Sequence, residues 1–140
     1  MLIAKLKPQL IGLSLASALL SSAVLAAEPS VYFIEPSDGA VVSSPVTVKF
    51  GLSGMGVAPA GVERDNTGHH HLLIDLDEAP DLSKPIAADA HHKHFGGGQT
   101  ETTLELAPGE HTLQLLLGDY LHRPHKTPVM SDKITITVKP

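Results

Sequence analysis

Val46-Thr47-Val48-Lys49-Phe50-Gly51-Leu52 alternates between apolar and other residues along its whole length. Successive side chains of a strand point to opposite faces, so a period of two reads as one buried and one wet face. The same pattern recurs in both directions. Upstream, Val31-Tyr32-Phe33-Ile34 is a short apolar strand closed by Pro36 and a Ser37-Asp38-Gly39 turn. Downstream come Leu72, Ile74 and Leu76, then Thr102, Leu104 and Leu106, then Leu113, Leu115 and Leu117, and last Ile134, Ile136 and Val138. Helical spacing is absent from this part of the chain. The strands are separated by Gly and Pro turns, and Ile86–Phe95 offers one more. The pattern predicts an all-β fold, an immunoglobulin-like antiparallel β-sandwich of about seven strands. A small up-and-down barrel is the alternative architecture.

The first residues read differently. Lys5 and Lys7 precede an apolar run from Leu10 to Leu25, and Val24-Leu25-Ala26 supplies small residues of the kind a signal peptidase accepts. The expectation is a cleaved N-terminal signal peptide over residues 1–26 and a single His-rich β-sandwich domain over 27–140. The remaining chain then has no stable membrane span and is periplasmic or secreted. The 140 residues carry a formal net charge of −5 and no basic stripe, which makes nucleic acid a poor partner. Cysteine is absent, which excludes a disulfide framework and thiol catalysis.

Chemistry is concentrated in the histidines. All nine fall between His69 and His125, mostly in three clusters: His69-His70-His71, His91-His92 with His94, and His122 with His125. Imidazole is the commonest protein metal ligand and titrates near neutral pH. On a strand His69 and His71 project together, while His70 joins Leu72 and Ile74 toward the core. His92 and His94 repeat that spacing, and His122 and His125 share a loop stiffened by Pro124 and Pro128. If successive strands run antiparallel, the connections that carry the three clusters lie at one end of the sandwich. His69, His71, His92, His94, His122 and His125 are therefore the candidate metal ligands, for a copper or zinc ion.

Other residues have competing readings. His70 and His111 fall in register with buried leucines and isoleucines, which suits core histidines bonded to backbone or carboxylates. Met55, between Gly54 and Gly56, is either a soft ligand at the same pole or a hydrophobe folded over the core. Asp119 is a candidate ligand, or a carboxylate that orients a ring. Asp75, Asp77 and Glu78 read as a solvated turn. Gly96-Gly97-Gly98 lacks the strand–loop–helix setting of a phosphate cradle.

Three stretches also carry a resemblance: GHHHLLID (Gly68 to Asp75), HKHFGGGQTE (His92 to Glu101) and PGEHTLQLLLGDYLHRPH (Pro108 to His125). Together they resemble a family of exported bacterial proteins catalogued as domain of unknown function 4399. The resemblance covers about Val31 to Lys139 and implies one secreted or periplasmic domain built of strands. It brings no established activity. Looser resemblances exist to periplasmic copper carriers of sandwich fold and to copper/zinc superoxide dismutases, which place His-x-His on a strand. This chain lacks the dismutase disulfide.

The leading expectation is an exported periplasmic module that captures copper or zinc through histidines at one pole. Proton competition is then expected to release the ion near pH 5 to 6. The alternatives are a metal-dependent envelope enzyme, superoxide dismutase-like or hydrolytic, or a non-catalytic structural domain that binds another envelope protein.

Overall fold

The computed structural model of the protein describes residues 27–140. The expected signal peptide lies outside the described residues. Among the described residues all regular structure is β, and no helix is long and apolar enough to cross a membrane.

The strands are β1 (Ser30–Glu35), β2 (Val41–Val42), β3 (Val46–Ser53), β4 (Gly56–Val57), β5 (Thr67–Ile74), β6 (His92–His94), β7 (Glu101–Leu104), β8 (Gly109–Gly118) and β9 (Ile134–Val138). They form two sheets. A three-stranded sheet has the order β1-β3-β7, and a six-stranded sheet runs β2-β9-β8-β5-β4 with β6 also on β5. The long pairings, β1 with β3, β5 with β8 and β8 with β9, are antiparallel. Only the two-residue strands β2 and β4 pair in parallel. This is the sandwich that the alternation predicts, and the barrel is set aside.

The core lies between the sheets. Val31, Val48 and Phe50 from the smaller sheet meet Leu72, Ile74, Leu113, Leu115, Leu117 and Ile136 from the larger. Each set occupies alternate positions on its strand, so a single face of each sheet supplies the core.

Three boundaries differ from the sequence reading, the simplest being β7, which ends at Leu104 and leaves Leu106 outside. β5 stops at Ile74, because Asp75 adopts a left-handed backbone (φ 53°) and leaves Leu76 outside the strand. The proposed strand over Ile86–Phe95 shrinks to β6. Residues 75–91 form an irregular connection in which Pro80 and Pro85 withhold the amides a ladder needs. β6 nevertheless has a defined register on β5, with His71 opposite His94 and Leu73 opposite His92. That register brings the second histidine cluster beside the first.

Leu115 is fully buried at the centre of β8. Leu115→Ala is expected to cost about 2–5 kcal/mol through lost transfer energy and a residual cavity. Val41→Ser, at an exposed position, is expected to change stability by less than about 0.5 kcal/mol. Urea unfolding monitored by circular dichroism measures both.

Candidate metal centre

β5 is buried on both faces. His70, Leu72 and Ile74 turn toward the sheet-to-sheet core, and His69, His71 and Leu73 turn to the outer face of the larger sheet. His69 and His71 are 0% and 1% exposed. The site therefore lies on an outer sheet face rather than on the rim of the sandwich, because strand alternation overrides the position of the loops.

Cross-strand pairing brings His94 beside His71 on that face. The fourth ring comes from the loop after β8. There the Asp119 carboxylate accepts the amides of Leu121 (2.8 Å) and Arg123 (2.9 Å), and the His122 amide donates to the Asp119 carbonyl at 2.9 Å. His122 itself sits at φ 61°, a left-handed conformation uncommon for a side-chain-bearing residue. Asp119 thus holds the backbone of the loop that presents His122. The expected contact from its carboxylate to a ring is replaced by contacts to amides.

The result is a compact group. One ligand atom from each of His69, His71, His94 and His122 lies within 4.8 Å of all the others. Every pair of these four rings has its centroids 4.5 to 5.9 Å apart. His69 Nε2 and His122 Nδ1 are 3.1 Å apart. Zinc–imidazole bonds are roughly 2.0–2.1 Å long, so the four rings would have to draw closer together to share one ion.

Two glycines make room for the rings. A Cβ on Gly118 would lie 2.6 Å from His71 Cε1, and one on Gly96 would lie 2.4 Å from His94 Nε2. Neither contact is possible between real atoms. Glycine is needed at both positions for close approach.

The electrostatics favour neutral rings. Burial, reinforced by His122 and His94, lowers the His69 pKa to about 4. Burial and the neighbouring rings His69, His94 and His122 lower His71 to about 3. Burial and His122 lower His94 as well. Neutral imidazole is the form that ligates, so burial holds His69, His71 and His94 in the form that could hold a metal ion.

The remaining expected ligands lie elsewhere. His92 faces the same side as His94 but one step further along, and its Nδ1 is 2.8 Å from the Asp89 carboxylate. His125 Nε2 is buried 2.9 Å from the Cβ position of Gly68, which shares the opposite face of β5 with His70. Met55 packs against the core. His111 meets the expectation of a bonded histidine: Nδ1 is 2.7 Å from Asp75 Oδ2 and Nε2 is 2.8 Å from the Ala107 carbonyl. Asp75, read from sequence as part of a solvated turn, also accepts the Thr112 amide. His70 departs from its expectation. It is fully buried against Phe50, with ring centroids 5.1 Å apart, and neither nitrogen has a hydrogen-bond partner among the described residues.

A family model described as a domain of unknown function (DUF4399) matches residues 48–139. The chain belongs to the DUF4399 family. The matched span of this DUF4399 chain contains all four clustered rings and both glycines beside them. No curated protein matches the chain. Among solved structures, the endo-beta-1,4-mannanase from Thermotoga petrophila is similar at 20% identity and a TM-score of 0.49. The alignment covers 84% of the DUF4399 chain and 21% of the mannanase chain, and a likeness of this degree bears on neither fold nor activity.

Two outcomes follow for the metal-free protein. The unfolded chain protonates its histidines near pH 6.5, whereas burial holds His70 to about 4, as it does His69, and His71 to about 3. Stability is then complete above about pH 6.5 and is lost progressively as pH falls toward 4. His111, raised by its bond to Asp75, acts in the opposite sense and offsets part of the loss. Urea midpoints measured in a chelator between pH 7.5 and 4.5 are expected to fall, and to fall less in His70→Leu. Gly96→Ala is expected to retain the fold by circular dichroism and to displace the His94 ring, measured as a shift of its imidazole resonances.

Proposed function

We propose that this protein is an exported, periplasmic metal-binding module that holds one copper or zinc ion on His69, His71, His94 and His122. The observation that carries the reading is the convergence of four imidazoles from three separate parts of the chain, two of them fully buried. Packing alone does not account for such a group, since crowded rings depress one another's protonation and leave the Nδ1 atoms of His69 and His71 without hydrogen bonds. An ion would offset these costs.

The donor set narrows the metal. Four neutral imidazoles without thiolate or carboxylate suit the borderline ions copper(II), zinc and nickel, and among divalent ions copper(II) binds such sites most tightly. Export is supported by the apolar run from Leu10 to Leu25 and the small residues that end it. The same compartment would supply any envelope partner that delivers or receives the ion.

Proton competition shifts accordingly. The sequence alone places release near pH 5 to 6, as for ordinary histidines. With His69 and His71 neutral down to about 4 and 3, binding is expected to persist at about pH 5.5 and to fail toward about pH 4. Calorimetric titration of residues 27–140 with copper(II) and zinc(II) across this range tests the reading. Micromolar or tighter binding at neutral pH is expected, with a loss of about 100-fold or more in His69→Ala and in His94→Ala. His92→Ala is expected to bind nearly as well as the parent. Absence of binding at neutral pH would refute the proposal.

A further inference from the structure

The irregular connection over residues 75–91 is longer than the join between β5 and β6 requires, and part of it lies against the rings. Ile86, Ala87 and Ala88, together with His71, His94 and His122, line a cavity of about 110 Å³. Its lining divides cleanly. Three walls are rings of the candidate metal centre, and three are apolar side chains without hydrogen-bonding groups.

This wall is fastened to the centre. The Ile86 amide donates to the His122 carbonyl at 2.7 Å, and Ile86 Cδ1 lies 3.3 Å from the Cβ position of Gly118. The ends of the connection are tied down too. The amide of Ile74 donates to the His91 carbonyl and that of Asp75 to the Thr112 carbonyl. Ala87 and Ala88 are exposed, so the cavity meets solvent past two methyl groups.

We propose that a copper(II) ion on the four rings keeps one further coordination position facing this cavity, where it accepts a ligand of two or three heavy atoms. The inference rests on the metal-binding reading and adds an open position to it. Four protein ligands close a tetrahedral zinc ion, whereas copper(II) prefers a tetragonal arrangement of four ligands that leaves a position outside their plane free. Here the free side is the one bounded by Ile86, Ala87 and Ala88. The volume favours a diatomic molecule or a linear triatomic anion over a six-membered ring, since benzene occupies an engineered apolar cavity of about 150 Å³. Apolar walls offer nothing to a ligand except the ion.

The test uses residues 27–140 loaded with copper(II), its metal content measured first by elemental analysis. Azide is then titrated while the copper absorption and electron paramagnetic resonance spectra are followed, with pyridine as the larger probe. The expected result is a saturable azide-induced change, a weaker response to pyridine, and azide affinity about 10-fold weaker or worse in Ala88→Leu and Ala87→Leu at unchanged copper content. Copper retained with spectra indifferent to azide overturns the open position alone. Equal azide affinity in the parent and both leucine variants overturns this cavity as its location. A protein that retains no copper overturns the metal-binding reading and this inference with it.

Discussion

The alternation of side chains along β5 is the constraint on which the rest of the molecule depends. Thr67–Ile74 is buried nearly throughout, so both of its faces must be filled. One face supplies Leu72 and Ile74 to the core between the sheets, and the other carries His69 and His71. A single strand thus belongs to two environments, and a slip of one residue would exchange them. Pairing with β8 over six residues prevents that slip, and pairing with β6 delivers His94 to its place. Fold and candidate site are specified by the same hydrogen-bond ladder.

Burial without charge is the second theme. His69 and His71 are buried while His94 and His122 are more open to solvent, and the partly exposed Asp119 contributes a nearby negative charge at His69. Three of the other five histidines are handled conventionally. His111 and His92 each meet a carboxylate, and His91 bonds the carbonyl of Ile74. The contrast lies within one strand and its neighbours, which separates histidines that serve architecture from those left open to a ligand. His70 fits neither group. It sits against Phe50 with both nitrogens unpartnered, a residue whose cost the fold carries in the absence of protons.

Much of this was legible in the sequence. Val46 to Leu52 announces a strand without ambiguity, and His-x-His spacing on β5 correctly puts His69 and His71 on one side with His70 on the other. What could not be read was register. Whether His92 or His94 faces the first cluster depends on which residue of β6 stands opposite His71, and periodicity is the same for both. His122 and His125 are likewise equivalent in sequence, and only the Asp119 turn and the left-handed backbone at His122 distinguish them. Gly96 and Gly118 look like ordinary turn and strand-end glycines until the rings beside them are seen. The wall formed by Ile86 to Ala88 has no sequence signature, since three small or aliphatic residues in a proline-bounded loop announce nothing.

The separation between His69 and His122 along the chain has a consequence for a protein without cysteine. An ion bridging them would tie distant segments together much as a disulfide does, restricting the unfolded ensemble by closing a large loop. Unlike a covalent bridge, this tie would be set by mass action, strengthening with the logarithm of free ion concentration. Resistance to proteases in the surrounding medium would then report how much metal that medium contains.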